Sequence, residues 1–572
     1  MQPVTGGVAR AAWRHVIILS GAIALAAAHS ADAGSRTTQS RPNFLVIVAD
    51  DLGYSDLGVM GSEIRTPNLD RLAADGLLLT AFHVTPTCSP TRAMLLTGVD
   101  THPAGLGTMH GQWSPEQQGK PGYEGVLSDR VVTVATLLRD AGYHTYLSGK
   151  WHLGGQPGQY PTDRGFERSF GPISGGATHF SDLLPLFFPG RDTAKALFIE
   201  DGEPVVQLPE RWFSTNGFTD KLIEQIESGR ADGRPFLALA TYTAPHWPLQ
   251  APDDFIDRYK GVYDDGWDAL RERRMAALKR RGLVSAYTSA PARVPWAPAW
   301  ADLDEATRAQ QARVMEVYAA MVENLDHNVG RLLEYLAITG QLDNTLVLFF
   351  SDNGAEGNPV NRIIDDHGWV ERTFDNRLEN IGRVGSYVST APGWAQASSA
   401  PFRLFKSFPT QGGLQVPAIA HGPGVAGQRR SAAFVTVKDL APTLLEMAGV
   451  EVPNGRYGGR EVARIEGRSM TGLLAGRQAR VHGDGDVMGW ELFGRRALRR
   501  GDWKITWLYE PYGPGRWELF NLADDPAESR DLAADRPDML GAMLAAWHAY
   551  AEGNGVILPD SDAGYALEDD WR

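Results

Sequence analysis

The chain has almost no cysteine: Cys88 is the only one in 572 residues. One thiol excludes an internal disulfide and cannot build a thiolate metal site alone. A basic excess is also missing. The 55 lysines and arginines stand against 69 acids, a formal charge of −14, which argues against nucleic acid as the main partner. An anionic substrate would therefore need positive charge concentrated locally. Beyond the N-terminus no stretch is long and apolar enough to cross a membrane, and there is no internal repeat. Lacking cross-links, the chain must be held by an apolar core, which its length makes easy.

What is present begins with an address. Arg10 and Arg14 precede an apolar run from Val16 to Ala28, and Ala31-Asp32-Ala33 has the small-x-small form of a cleavage site. Residues 1–33 read as a secretory signal, too short to span a bilayer comfortably. The expectation is a mature chain starting near Gly34, periplasmic or secreted, with no stable membrane insertion.

Apolar strands then alternate with amphipathic helices. Asn43 to Ala49 is a nearly unbroken apolar run, as expected of a strand buried on both faces. Thr66 as the N-cap and Pro67 in the first turn open a helix that Gly76 stops. Leu77 to His83, Tyr143 to Ser148, Phe236 to Thr241 and Leu346 to Phe350 read as strands; Thr133 to Ala141, Val314 to Leu336 and Val437 to Met447 read as helices. The alternation predicts an α/β fold with a largely parallel sheet covered on both faces. Past residue 480 come short aromatic segments, Trp490 to Phe493, Trp503 to Trp507 and Trp517 to Asn521, then a helix from Pro537 to Ala551. We expect a catalytic domain over 34–480 and a smaller C-terminal α+β domain over 481–572, built on an antiparallel sheet. Arg271 to Arg281 reads as a solvated helix face inside an insertion spanning 254–309.

Ligand sites in such sheets lie at the carboxyl ends of the strands, and five regions deliver polar residues there. Asp50 and Asp51 follow the first strand, and Asp352-Asn353 follow Phe350. These offer only oxygen ligands, which suit a hard cation, Ca²⁺ or Mg²⁺, and not zinc. Lys150 and His152 follow a third strand, two apart, so both side chains can point the same way. The glycines before Lys150 have the wrong spacing for a phosphate-binding P-loop. His246 stands between prolines just past Thr241. Cys88 follows Leu77 to His83; Pro90 suits the first turn of a helix, which lays Arg92 one turn above residue 88 at an end that favours anions. Taken singly, Cys88 would be a small buried hydrophobe and Asp352-Asn353-Gly354 a turn.

Cys88-x-Pro90-x-Arg92, followed by Ala93-Met94-Leu95-Leu96-Thr97-Gly98, resembles the signature of the sulfatases. The resemblance runs over nearly the whole chain from about Pro42. Around Asn380 to Arg383, Ser386-Tyr387 and Gly393 to Ala395 it is similar to the bacterial arylsulfatases. It implies an alkaline phosphatase-like fold, a large mixed, mostly parallel sheet sandwiched by helices. It also implies that a formylglycine-generating enzyme converts Cys88 to formylglycine, whose hydrated aldehyde attacks sulfur. Asp50, Asp51, Asp352 and Asn353, together with the modified Cys88, would hold Ca²⁺, which the resemblance favours over Mg²⁺. Arg92, Lys150 and Lys406 would carry the sulfuryl charge, Asp352 would take the proton of the attacking hydroxyl, His246 would protonate the leaving oxygen, and His152 would expel sulfate. The substrate would be a small sulfate ester, aryl by subgroup. Two other readings stay open: a phosphate-monoester or phosphonate-ester hydrolase of the same superfamily, and a sulfated-ligand-binding protein without catalysis.

Overall fold

In the computed structural model residues 41–186, 195–358 and 368–565 are described, and the expected signal over 1–33 lies outside them. Eleven strands, numbered in chain order, form one sheet: β1 Asn43–Ala49, β2 Leu77–His83, β3 His144–Gly149, β4 Arg168–Pro172, β5 Phe198–Glu200, β6 Glu203–Val205, β7 Phe236–Thr241, β8 Thr345–Ser351, β9 Gln415–His421, β10 Arg429–Ser431 and β11 Val435–Thr436. Their order is β10-β2-β9-β8-β1-β7-β3-β4-β5-β6, with β11 beside β2. β1 is parallel to β7 and β8, and β3 is parallel to β7 and β4. β9 runs antiparallel between β2 and β8, so β2 and β8 point the same way. The carboxyl ends of β1, β2, β3, β7 and β8 therefore share one edge, where β9 begins.

The apolar run of β1 is explained by burial on both faces. Leu45, Ile47 and Ala49 join one core with the helices Pro67–Asp75, Ser214–Gly229 and Glu305–Ile338. Phe44, Val46 and Val48 join the other with Cys88–Thr97, Val134–Asp140 and Leu440–Ala448. The mixed, mostly parallel sheet between helices is the expected α/β architecture. A second, antiparallel sheet runs Val487–Leu492, Arg495–Arg500, Trp503–Trp507 and Trp517–Asn521, in that order. Leu498, Ile505 and Leu519 pack it against Met543 and Trp547 of the helix Pro537–Asn554. It is tied to the large sheet by Trp490 Nε1 donating to Val84 O (2.9 Å) and by the Arg403 fork on Glu518 (3.1 and 3.0 Å).

Three expectations need correction. Thr66 does not cap the helix that Pro67 opens; its hydroxyl donates to Asp70 Oδ1 (3.0 Å) and accepts from Gly58 N–H (2.8 Å). The long helix starts at Glu305, not Val314, because Asp304 caps it by accepting from Thr307 N–H at 2.7 Å. Its first turns are polar and carry no apolar period. Arg271 to Arg281 is not wholly solvated: in the helix Gly266–Arg280, Arg274 is only 1% exposed. It forks Glu63 at 2.8 and 3.2 Å and bonds Asp56.

Candidate active site

The sheet edge brings every residue expected at the site together. Backbone bonds continue the ladder past the strand ends and fix the loops: Asp50 N–H to Ala244 O, Asp352 N–H to Ala49 O, and Lys150 N–H to Thr241 O (3.1, 3.0 and 2.7 Å). Gly149 is required at its position, since φ is +120° and a Cβ would lie 2.0 Å from Thr241 O. Cys88 is the first residue of its helix and Arg92 lies one turn on, as the spacing predicts. His152 approaches from the other side, its Nδ1 3.3 Å from Cys88 Sγ.

The charges interlock. Arg92 donates from Nε and Nη2 to Asp352 Oδ2 (2.9 and 2.7 Å) and from Nη1 to Lys150 O (2.8 Å). Lys150 Nζ meets Asp50 Oδ2 at 2.7 Å. Lys406 Nζ lies between Asp51 and Glu356, 2.9 Å from each. Asn353 Nδ2 donates to Asp51 Oδ1 (2.6 Å), and His246 Nε2 faces Asp51 Oδ2 at 3.6 Å. All these side chains are buried. Asp51 and His152 sit at positive φ, as do Leu404 and Ser407 on either side of Lys406; these are four of nine such non-glycine residues among those described. Strain of roughly 1–3 kcal/mol each is concentrated where chemistry needs fixed geometry.

Two atoms stand out. Asp50 Oδ1 and Asn353 Oδ1 are buried without a hydrogen-bond partner among the described residues, a costly arrangement unless something else meets them. One atom each of Asp50, Cys88 and Asp352 lie within 4.8 Å of one another, as do one each of Asp50, Asp51 and His246. Burial pushes Asp51 up to about 8 against the pull of Lys406, with Asp50, Glu356 and Asp352 adding to the rise. Lys406 stays protonated because Asp51 and Glu356 outweigh its burial and raise it well above the usual value. Burial, then Lys150 and Arg92, hold His152 well below its usual pKa, so it is a neutral base. Burial, Lys406 and Lys150 lower His246 in the same way. Its Nδ1 lies 2.6 Å from Trp247 O, a contact that requires a proton on Nδ1 and leaves Nε2 facing the site. Burial also raises the Cys88 thiol, against Lys150 and Lys406; an unmodified Cys88 is not a thiolate.

A model of the family described as Sulfatase matches residues 42–450. The chain belongs to the sulfatase family. It is 43% identical over 536 residues to an uncharacterized sulfatase of Schizosaccharomyces pombe, covering 91% of this chain and 95% of that protein. It is 39% identical over 443 residues to an arylsulfatase of Klebsiella aerogenes, covering 76% and 92%. The solved structure of Ps i-CgsB in complex with k-i-k-neocarrahexaose has the same fold, with a TM-score of 0.64, 23% identity and coverage of 92% and 95%. As a sulfatase this protein is a sulfuric ester hydrolase.

Sequence reasoning missed two residues at this sulfatase's site. Glu356 shares Lys406 with Asp51; the only signal was an acid three positions past Asn353 in the same loop. Tyr565 is half-buried with Ala563 against the cluster of Cys88, Met109, Leu492 and Phe493, its ring 5.6 Å from that of Phe493. Nothing in its local sequence points to a residue hundreds of positions earlier.

Proposed function

We propose that this sulfatase hydrolyses sulfate monoesters, aryl sulfates foremost, with Cys88 converted to formylglycine and a Ca²⁺ ion held by Asp50, Asp51, Asp352 and Asn353. The observation that carries the reading is Cys88 Sγ among the buried carboxylates of Asp50 and Asp352, within 4.8 Å, ringed by Arg92, Lys150 and Lys406. The donor set fits a hard cation: its oxygens are carboxylate or amide, and two of them are orphaned. Charge supports the same conclusion. Three cations, Arg92, Lys150 and Lys406, face four carboxylates, Asp50, Asp51, Asp352 and Glu356. Burial holds Asp51 protonated below about 8 in the metal-free site, so with neutral histidines the cluster is close to neutral and offers a sulfate ester no net attraction; a divalent cation that displaces this proton leaves one positive charge in excess.

Bound there, the cation supplies Lewis acidity that lowers the pKa of a hydroxyl beside it. Formylglycine supplies, as a hydrated aldehyde, one hydroxyl to attack sulfur and a second through which sulfate is released, chemistry that a plain Ser or Cys lacks. The chain does the rest. Asp352 accepts the proton of the attacking group while Arg92 orients it. Arg92, Lys150 and Lys406 stabilise charge on the sulfuryl oxygens. His246 hands a proton from Nε2 to the departing oxygen, and because Nδ1 is already committed to Trp247 O, this needs the doubly protonated ring. Burial and the lysines hold His246 neutral in the free site, and the negative charge of a bound ester favours the added proton against them. His152, neutral and beside residue 88, takes the proton whose removal expels sulfate.

The reading includes maturation by a formylglycine-generating enzyme and export to the periplasm or beyond. Export is supported by the Arg10 to Ala33 pattern. No helix among the described residues is long and apolar enough to cross a membrane. An aryl preference is supported by likeness to the Klebsiella arylsulfatase. The test is mass spectrometry of the Cys88 peptide with a calcium titration of chelator-treated protein. Formylglycine at residue 88 and activity restored by Ca²⁺ are expected. An unmodified thiol with full activity, or activity indifferent to chelation, would overturn the reading.

A further inference from the structure

Glu356 lies on the loop that follows β8, three residues beyond Asn353, and is 5% exposed. Its two oxygens have different partners. Oε1 accepts from the backbone N–H of Gly357 (2.9 Å) and of Asn358 (2.7 Å) and from Asn358 Nδ2. Three donors on one oxygen fix the carboxylate plane. Oε2 is left for Lys406 Nζ, 2.9 Å away. The two residues share a backbone frame as well: Lys406 N–H donates to Ala355 O at 3.0 Å, and Thr390 Oγ1 donates to Glu356 O at 2.6 Å. The carboxylate is thus held before the ammonium arrives, and the ammonium is delivered to it.

We propose that Glu356 is a positioning residue that holds Lys406 against the sulfuryl group, an inference that rests on the sulfate-ester reading of the site. The other counter-ion of Lys406 is Asp51, whose oxygens also face the cation site. An ammonium held by Asp51 alone would be drawn toward that site and repelled by a divalent ion in it. Glu356 supplies a second negative charge at the same distance from Nζ, one that the proposed cation ligands do not share. Its capture by backbone N–H groups would work equally well for a glutamine, whose carbonyl oxygen accepts as Oε1 does. Only the contact with Lys406 needs the charge. Glu356→Gln therefore separates a positioning role from a merely structural one.

The experiment is a double-mutant cycle with Glu356→Gln and Lys406→Ala, reading kcat/KM on aryl sulfates of differing leaving group, binding of inorganic sulfate by calorimetry, and Tm. Misplacing a group that meets the reacting centre costs up to about 10²-fold. Glu356→Gln should lower kcat/KM by about 10- to 100-fold, equally across leaving groups, and weaken sulfate binding, with Tm nearly unchanged. In the Lys406→Ala background the same change should cost less than about 2-fold in either readout. Equal losses in both backgrounds, or undiminished sulfate binding by Glu356→Gln, would overturn the proposal. So would a wild-type protein that binds no sulfate. If the wild type turns over no sulfate ester yet binds sulfate, the function reading fails alone, and the binding cycle still decides the role of Glu356.

Discussion

Two buried charge clusters lie a few residues apart along the loop after β1, and they are built to opposite ends. In the first, Arg274 meets Asp56 and Glu63; Asp56 Oδ2 also takes Tyr318 OH (2.6 Å) and Gly53 N–H (2.8 Å), and Glu63 Oε1 takes Tyr263 OH (2.8 Å). Every buried polar atom of these three residues has a hydrogen bond among the described residues. In the second, Asp50, Asp51, Asp352 and Asn353 crowd together with two oxygens unmet. Both set buried carboxylates against cations, so buried charge alone does not mark function. What distinguishes the second is where its unmet oxygens lie, beside carboxylates that converge on Cys88 and His246.

The largest effect that sharpens this contrast is Cys88→Ala. It should lower kcat/KM for an aryl sulfate by at least about 10⁴-fold while costing only about 1 kcal/mol of stability. Comparable losses in both would blur the two clusters. His246→Ala should cost roughly 10²- to 10⁴-fold on esters with poor leaving groups and much less on 4-nitrophenyl sulfate. Equal losses on both would remove its acid role. Arg274→Ala should be the mirror image, lowering stability by about 3–5 kcal/mol because two carboxylates lose their partner in the interior. Its kcat, measured where the protein is folded, should stay within a few-fold. Unchanged stability with collapsed turnover would move Arg274 into the site.

The smallest effect has the most telling sign. Asp51 has its pKa raised in the folded protein, so metal-free protein binds an extra proton relative to the unfolded chain between its ordinary value and about 8. Its stability should be highest at low pH and fall as pH rises through that window. Asp51→Asn should remove this dependence and stabilise the metal-free protein by roughly 0.5–2 kcal/mol at neutral pH, while abolishing activity. Destabilisation instead would mean that the cluster satisfies itself without a cation. Unfolding midpoints across pH, with and without chelator, decide it.

Much of this was legible in the sequence. Parallel strands have a defined ligand edge, and motif residues written just past apolar runs must converge there, as Asp50, Lys150, His246 and Asp352 do. Cys88 and Arg92 needed only helix spacing. The misses share a cause, since local pattern does not report partners distant in sequence. Arg274 sits among evenly spread charges that define no face; Asp56 and Glu63, two hundred positions earlier, turn it inward. Arg495–Arg500, four of whose six residues are arginine, forms a strand because Arg495 is buried against Asp562 (2.9 Å) and the neighbouring strands pair with it. β9 carried no turn signal to announce that it runs antiparallel. Glu356 and Tyr565 are recognised only by what they touch.

The most direct test of the central claim compares kcat/KM for 4-nitrophenyl sulfate and 4-nitrophenyl phosphate, using protein from a formylglycine-competent host, with Cys88→Ala as control. The account predicts a large preference for sulfate that vanishes in the variant. A preference for phosphate, or sulfate turnover that survives the loss of Cys88, would contradict it.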